Sequence, residues 1–232
     1  MENPTPQAAA DAGTAPPMTP EPAVVSNPGP PVSTPELERA LFAAAVTDDA
    51  DSVRAAVRRG AAIEARDDGG RTPLVAATKA NAAAAAAALI AAGADVNAKD
   101  DMQDSAFLYA GAEGLDEILA GTLGHGADVR SINRFGGTAL IPAAEHGLVE
   151  TVRTLIRAGV PVNHVNHPGW TALLEAVVYG DGSARYVDVV GQLLDAGADP
   201  TIRDSQGRTV LQHARGLGQH DIVALLVARD GT

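Results

Sequence analysis

A phrase close to Gly-Ala-Asp-x returns along this chain at a nearly fixed interval: Gly60-Ala61-Ala62-Ile63, Gly93-Ala94-Asp95-Val96, Gly126-Ala127-Asp128-Val129, Gly159-Val160-Pro161-Val162 and Gly197-Ala198-Asp199-Pro200. Its glycines stand 33, 33, 33 and 38 residues apart. A unit that short cannot bury an apolar face by itself and must stack on its neighbours, so the chain is committed to a solenoid. Stacked units present an extended surface, which suits binding without naming the partner.

One period, Arg134 to Asn166, shows how a unit is built. Gly136-Gly137-Thr138 predicts a turn and a helix start, with the Thr138 hydroxyl capping free amides of the first turn and Gly147 ending a short helix. Leu148 to Ala158 predicts a second helix, with Val152, Leu155 and Ile156 at helical spacing and Gly159 closing it. Val160 to Asn166 is extended and leads into the next turn. Twelve residues before the first four closing glycines stand Asp48, Asn81, Gly114 and Gly147, and Gly180 precedes the extra residues of the longer interval. These are the residue types that tolerate a left-handed backbone, as the end of a first helix requires.

This register resembles the ankyrin repeat, in Asp67-x-x-Gly70-x-Thr72-Pro73-Leu74 and in Gly93-Ala94-Asp95-Val96-Asn97-Ala98. The same columns recur as Ser105/Phe107/Ala110, Thr138/Leu140/Ala143, Thr171/Leu173/Ala176 and Thr209/Leu211/Ala214. The resemblance spans about Pro35 to Thr232 and implies an all-α repeat solenoid of helix-turn-helix repeats with projecting β-hairpin loops. On that register an N-terminal capping helix pair covers 35–67, and repeats cover 68–100, 101–133, 134–166, 167–204 and 205–232. Residues 1–34, with nine prolines and no Lys or Arg, form a Pro/Ala-rich arm expected to be disordered, because they cannot bury enough surface to offset the entropy of ordering.

Several positions depart from the family pattern. Where ankyrin units carry a histidine after Thr-Pro-Leu, this chain has Val75, Leu108, Ile141, Leu174 and Gln212; apolar packing replaces the polar brace in four repeats, which makes cohesion between repeats mainly hydrophobic. The unit 101–133 has Gln103 in place of the turn glycine, Ser105 for Thr and Phe107 for Leu, with Gly121 and Thr122 inside its second helix; it is expected to be the softest, or to be distorted for contact with a partner. The longer interval places five extra residues, Asp181 to Arg185, in a polar loop between two helices.

Composition removes several classes of function. With 17 basic and 29 acidic residues the formal charge is −12, which repels nucleic acid and anionic membranes. Cysteine is absent, so no disulfide, thiolate metal site or thiol nucleophile is available. No window reaches the roughly 18 apolar residues of a membrane span, and the start of the chain lacks the basic and apolar stretches of a signal peptide. The six histidines show no metal-hydrolase spacing, Gly69-Gly70-Arg71-Thr72 is no phosphate loop, and no Gly-x-Ser-x-Gly elbow occurs. The reading is a cytoplasmic, monomeric protein that is not an enzyme and needs no cofactor or metal.

In ankyrin proteins the hairpin tips and the inner face of the first helices contact the partner. Carried over by column, the tips are Met102-Gln103, Arg134-Phe135, His167-Pro168-Gly169-Trp170 and Gln206; the inner positions are Tyr109, Pro142, Glu175 and His213, then Glu113, Glu145, His146, Val178 and Tyr179. The scarce aromatics Trp170, Phe135, Tyr109 and Tyr179 all fall on these columns, and Trp and Tyr are favoured at binding hot spots. Glu113, Glu145 and Glu175 make an acidic inner strip that matches a basic protein segment. The expected function is a non-catalytic protein-interaction scaffold that binds on its concave face and hairpin tips. The alternative is a dedicated regulatory, inhibitory, immunity or stabilising factor for one enzyme.

Overall fold

The computed structural model describes Met1 and residues 34–230, so the reading of residues 1–34 as a disordered arm lies outside the described residues apart from Met1 and Thr34. Among the described residues the helices run α1 (Thr34–Val46), α2 (Ala50–Arg58), α3 (Pro73–Lys79), α4 (Ala83–Ala91), α5 (Ala106–Glu113), α6 (Asp116–Gly124), α7 (Leu140–Glu145), α8 (Val149–Arg157), α9 (Ala172–Val178), α10 (Ala184–Asp195), α11 (Val210–Gly216) and α12 (His220–Asp230). Each odd helix packs on the next odd helix, forming a front layer of short helices. The even helices form a back layer, and each odd helix also packs on the even one that follows it in sequence. The core runs between the layers, with Leu41, Leu74, Phe107, Leu140, Leu173 and Ile222 among its fully buried side chains.

Local chemistry fixes the helix ends. Thr72, Ser105, Thr171 and Thr209 hold extended backbone, and each hydroxyl accepts the N–H three residues on, at 3.2–3.3 Å. Thr138 departs from the expected cap: its hydroxyl is buried without a partner. Pro142 has no N–H to give Thr138 O, so the N–H of Ile141 turns to that carbonyl at 3.2 Å, and α7 begins late, at Leu140.

First helices end in left-handed residues at Asp48, Asn81, Gly114 and Gly147, with φ of 60°, 54°, 70° and 66°. Gly180 does not continue this column; the left-handed residue there is Gly182, at φ 72°. Gly180 serves close packing instead, since a Cβ on it would lie 2.2 Å from Ala176 O and 2.6 Å from the Tyr186 ring. The extra residues are likewise not all loop: Ala184 and Arg185 open α10, which has 12 residues against nine in α8. Tyr186 on this added turn is buried and donates its hydroxyl to Glu145 O at 2.9 Å, fastening the longer helix to the end of α7.

Five turns precede the first helices of the repeats, and one side chain organises each. Asp67, Asp100, Asn133, Asn166 and Asp204 accept, through Oδ1, the N–H groups two or four residues on, and their backbones pair with residues 71, 104, 137, 170 and 208. Strand pairing in these hairpin turns is limited to one bridge among the described residues, Arg203 with Thr209. Val75, Leu108, Ile141 and Leu174 are buried where the family's histidine would stand, so apolar packing replaces that polar brace.

Candidate functional site

The front ends of α5, α7 and α9, with the turns that precede α7 and α9, enclose a groove of about 440 Å³. Tyr109, Glu113, Phe135, Glu145, His146 and Glu175 all line it, so most of the inner-face candidates converge on one place. Arg134, Pro142 and Pro168 complete its rim. Met102, His167, Trp170 and Tyr179 lie outside it.

Helical spacing and the repeat interval produce that convergence. Glu113 ends α5 and Glu145 ends α7, while Glu175 stands one turn into α9. Glu175 is only 7% exposed; Asn166 Nδ2 donates to its Oε1 at 2.9 Å, and the carboxylate of Glu145 faces it. Burial first, and then the charge of Glu145, push the Glu175 carboxyl up to about 7, against the downward pull of Asn166 and His146. His146 donates Nδ1–H to Ala112 O at 2.9 Å, because a carbonyl can only accept, and this ties α7 to α5 beside the groove.

At the other end the groove meets positive charge that the chain already neutralises. Lys79 Nζ bridges Asp100 at 2.7 Å and Asp104 at 3.0 Å and lies 5.2 Å from the centre of the Tyr109 ring. Burial works against the Lys79 ammonium, yet the two carboxylates hold it above its usual range. The Arg134 guanidinium stacks over Phe135 at 4.5 Å and reaches Asp104 at 4.0 Å. Phe135, 52% exposed, therefore offers an apolar surface at the mouth with a cation already on one face.

Of the remaining candidates, Trp170 and Tyr179 form a separate cluster with His213. Trp170 is half-buried against the core, and its ring lies 6.0 Å from Tyr179 and 5.8 Å from His213. Tyr179 is 58% exposed and Met102 48%, each outside the groove, and His167 is exposed on its turn. His213 is buried and bonded to Asp204 Oδ2 at 2.7 Å, which makes it a brace of the last turn and not an open contact. The groove lining also holds three polar side chains that the inner-face and tip columns do not contain: Asp104, Asn133 and Asn166. Asn166 could have been found from the Asp67, Asp100, Asn133 and Asp204 column to which it belongs.

The comparisons with known proteins agree with this architecture. Residues 24–100 and 107–204 match the family model described as ankyrin repeats (3 copies). A solved ankyrin repeat domain from Acinetobacter baumannii is 56% identical, covering 82% of this chain and 97% of its own, with a TM-score of 0.80. The ankyrin repeat protein EF0377 is 39% identical over the same shares, with a TM-score of 0.78. The ankyrin repeat domain of Bcl-3, a member of the IkappaB protein family, is 26% identical over 82% of this chain and 85% of its own, with a TM-score of 0.73. None of the curated proteins matches.

The chain belongs to the ankyrin repeat family, whose repeats are generally non-catalytic protein-interaction modules. No helix among the described residues is long and apolar enough to cross a membrane.

Proposed function

We propose that this protein is a non-catalytic, monomeric, cytoplasmic scaffold that holds a protein partner along the α5–α7–α9 groove and its bordering turns. The single observation that carries the reading is the convergence of Tyr109, Glu113, Phe135, Glu145, His146 and Glu175 on one groove, from residues up to 66 positions apart (175−109). Charge supports a basic segment as the occupant. The cations at the groove, Lys79 and Arg134, are already matched to Asp100 and Asp104, whereas among the described residues no lysine or arginine pairs with Glu113, Glu145 or Glu175. Phe135, with Tyr179 and Trp170 beyond the groove, supplies aromatic area of the kind that dominates binding energy.

Capture from a lysate of the source organism tests the reading when three forms of the chain are compared. A partner held through the groove is retained by the native chain, lost with Glu145→Lys, and lost when Tyr109, Trp170 and Tyr179 are replaced by Ala with the helical signal intact. Retention by all three forms sinks the reading.

A further inference from the structure

The groove straddles the junction between the α5–α6 pair and the α7–α8 pair, and this junction lacks links that the junctions on either side possess. In the turns, Asp101 N–H donates to Gly69 O at 3.1 Å and His167 N–H to Phe135 O at 2.9 Å, tying successive turns at a 32-residue offset (101−69, 167−135). The bond in between, from Arg134 N–H to Met102 O, is not formed. Gly70 and Gly136 show why: a Cβ would lie 2.3 Å from Asp101 at the first and 2.5 Å from His167 at the second. Gln103 occupies that column, left-handed at φ 62° and carrying the Cβ that prevents the approach.

A second link is missing behind the turns. Asn97 accepts Asp128 N–H at 2.8 Å and donates to Gly126 O at 3.0 Å; Asn163 does the same with Asp199 at 2.8 Å and Gly197 O at 2.9 Å. The intermediate rung would join Arg130 to Pro161 and Gly159. Proline has no N–H to offer, and the arginine side chain makes no such pair. In the back layer, α6 and α8 also make the sparsest contact between successive even helices. What crosses there includes Thr151 Oγ1 to Asp116 at 2.6 Å. The front helices α5 and α7, by contrast, stay well packed at the floor of the groove.

We propose that this junction is a hinge that sets the width of the groove. Bending about the α5–α7 contact separates α6 from α8 and brings the Tyr109 and Glu113 wall toward Phe135 and Glu145. The α3–α4 and α5–α6 pairs move together on one side, and the α7–α8 and α9–α10 pairs on the other, because the junction within each set keeps both turn bond and rung. This goes beyond the binding reading and stands whether or not a partner occupies the groove.

The absence of native cysteine makes spin labelling direct. In the full chain, labels at Ala120→Cys and Arg157→Cys span the junction, and labels at Ala87→Cys and Ala120→Cys span the one before it. Double electron–electron resonance should give a broader distance distribution for the first pair. The triple variant Gln103→Gly, Arg130→Asn, Pro161→Asp restores the residue types of the neighbouring junctions. It should narrow that distribution to match the second pair and slow amide exchange in α6 about tenfold or more, as three regained hydrogen bonds imply. Equal widths in the native chain overturn the hinge without touching the binding reading, and so does a folded triple variant with unchanged width. If the triple variant fails to fold, the native-chain comparison decides alone.

Discussion

Asn166 and Glu175, nine residues apart, are joined by a 2.9 Å hydrogen bond, and Asp204 and His213 repeat that relationship one unit later at 2.7 Å. Each bond runs from the residue that organises a turn to the same position of the helix behind it. In the first pair an amide donates to a carboxyl that also faces Glu145; in the second a carboxylate meets an imidazole. One structural slot thus yields an unmatched acid in the middle of the stack and a matched one at its end.

The unmatched acid sets a pH dependence. Below pH 4.5 Glu175 is protonated in the folded and unfolded states alike; above it the unfolded chain releases the proton while the fold keeps it until about pH 7. Stability therefore falls across pH 4.5–7, by about 3 kcal/mol from this group. Glu175→Gln should flatten that fall and be the more stable form at pH 8, as measured by urea unfolding at several pH values.

The matched acid works in the opposite direction. Burial opposes it, but the N–H groups of Arg208 and Gln206 and the side chain of His213 hold the Asp204 carboxyl down to about 2. Its contribution is present above 3.8 and is lost as the pH falls toward 2. Asp204→Asn should lower the melting temperature near neutral pH and remove this part of the acid transition.

The capping hydroxyls separate sharply by position. Thr171→Val removes a bond to Leu174 N–H and should cost about 1 kcal/mol. Thr138→Val removes a buried hydroxyl that bonds to nothing, and should leave stability unchanged or raise it. Denaturant midpoints of the two variants check the contrast.

Asp48 and Asn81 share a left-handed backbone but not a role. Asp48 Oδ1 accepts Ala85 N–H at 2.8 Å and so caps the start of α4, whose own N-cap, Ala82, has no side-chain acceptor. Asn81→Gly relieves backbone strain and should stabilise the fold by up to about 1 kcal/mol. Asp48→Gly gains the same relief but loses the cap, and should be the less stable of the two by thermal unfolding.

Residue type made much of the architecture legible, because closing glycines, capping threonines and left-handed Asp or Asn tolerate few replacements. Where a position depended on contacts across units, the column misled. Gly180 looked like the next left-handed residue until Tyr186, standing just past the insertion, claimed its space. Thr138 has the capping residue, yet Pro142 four positions later redirects the amide it would have capped. The acidic strip was readable as a column, but the burial of Glu175 behind Asn166 and against Glu145 depends on three separate segments meeting. Trp170 was placed at a tip by its column; its packing between Tyr179 and His213 required the stack.

The most direct test of the groove as the binding surface is amide hydrogen exchange on the full chain, alone and with the partner it captures. A partner seated in the groove should slow exchange chiefly in residues 104–113, 133–146 and 166–179. Protection confined to α8, α10 and α12, with those three segments unchanged, would contradict it.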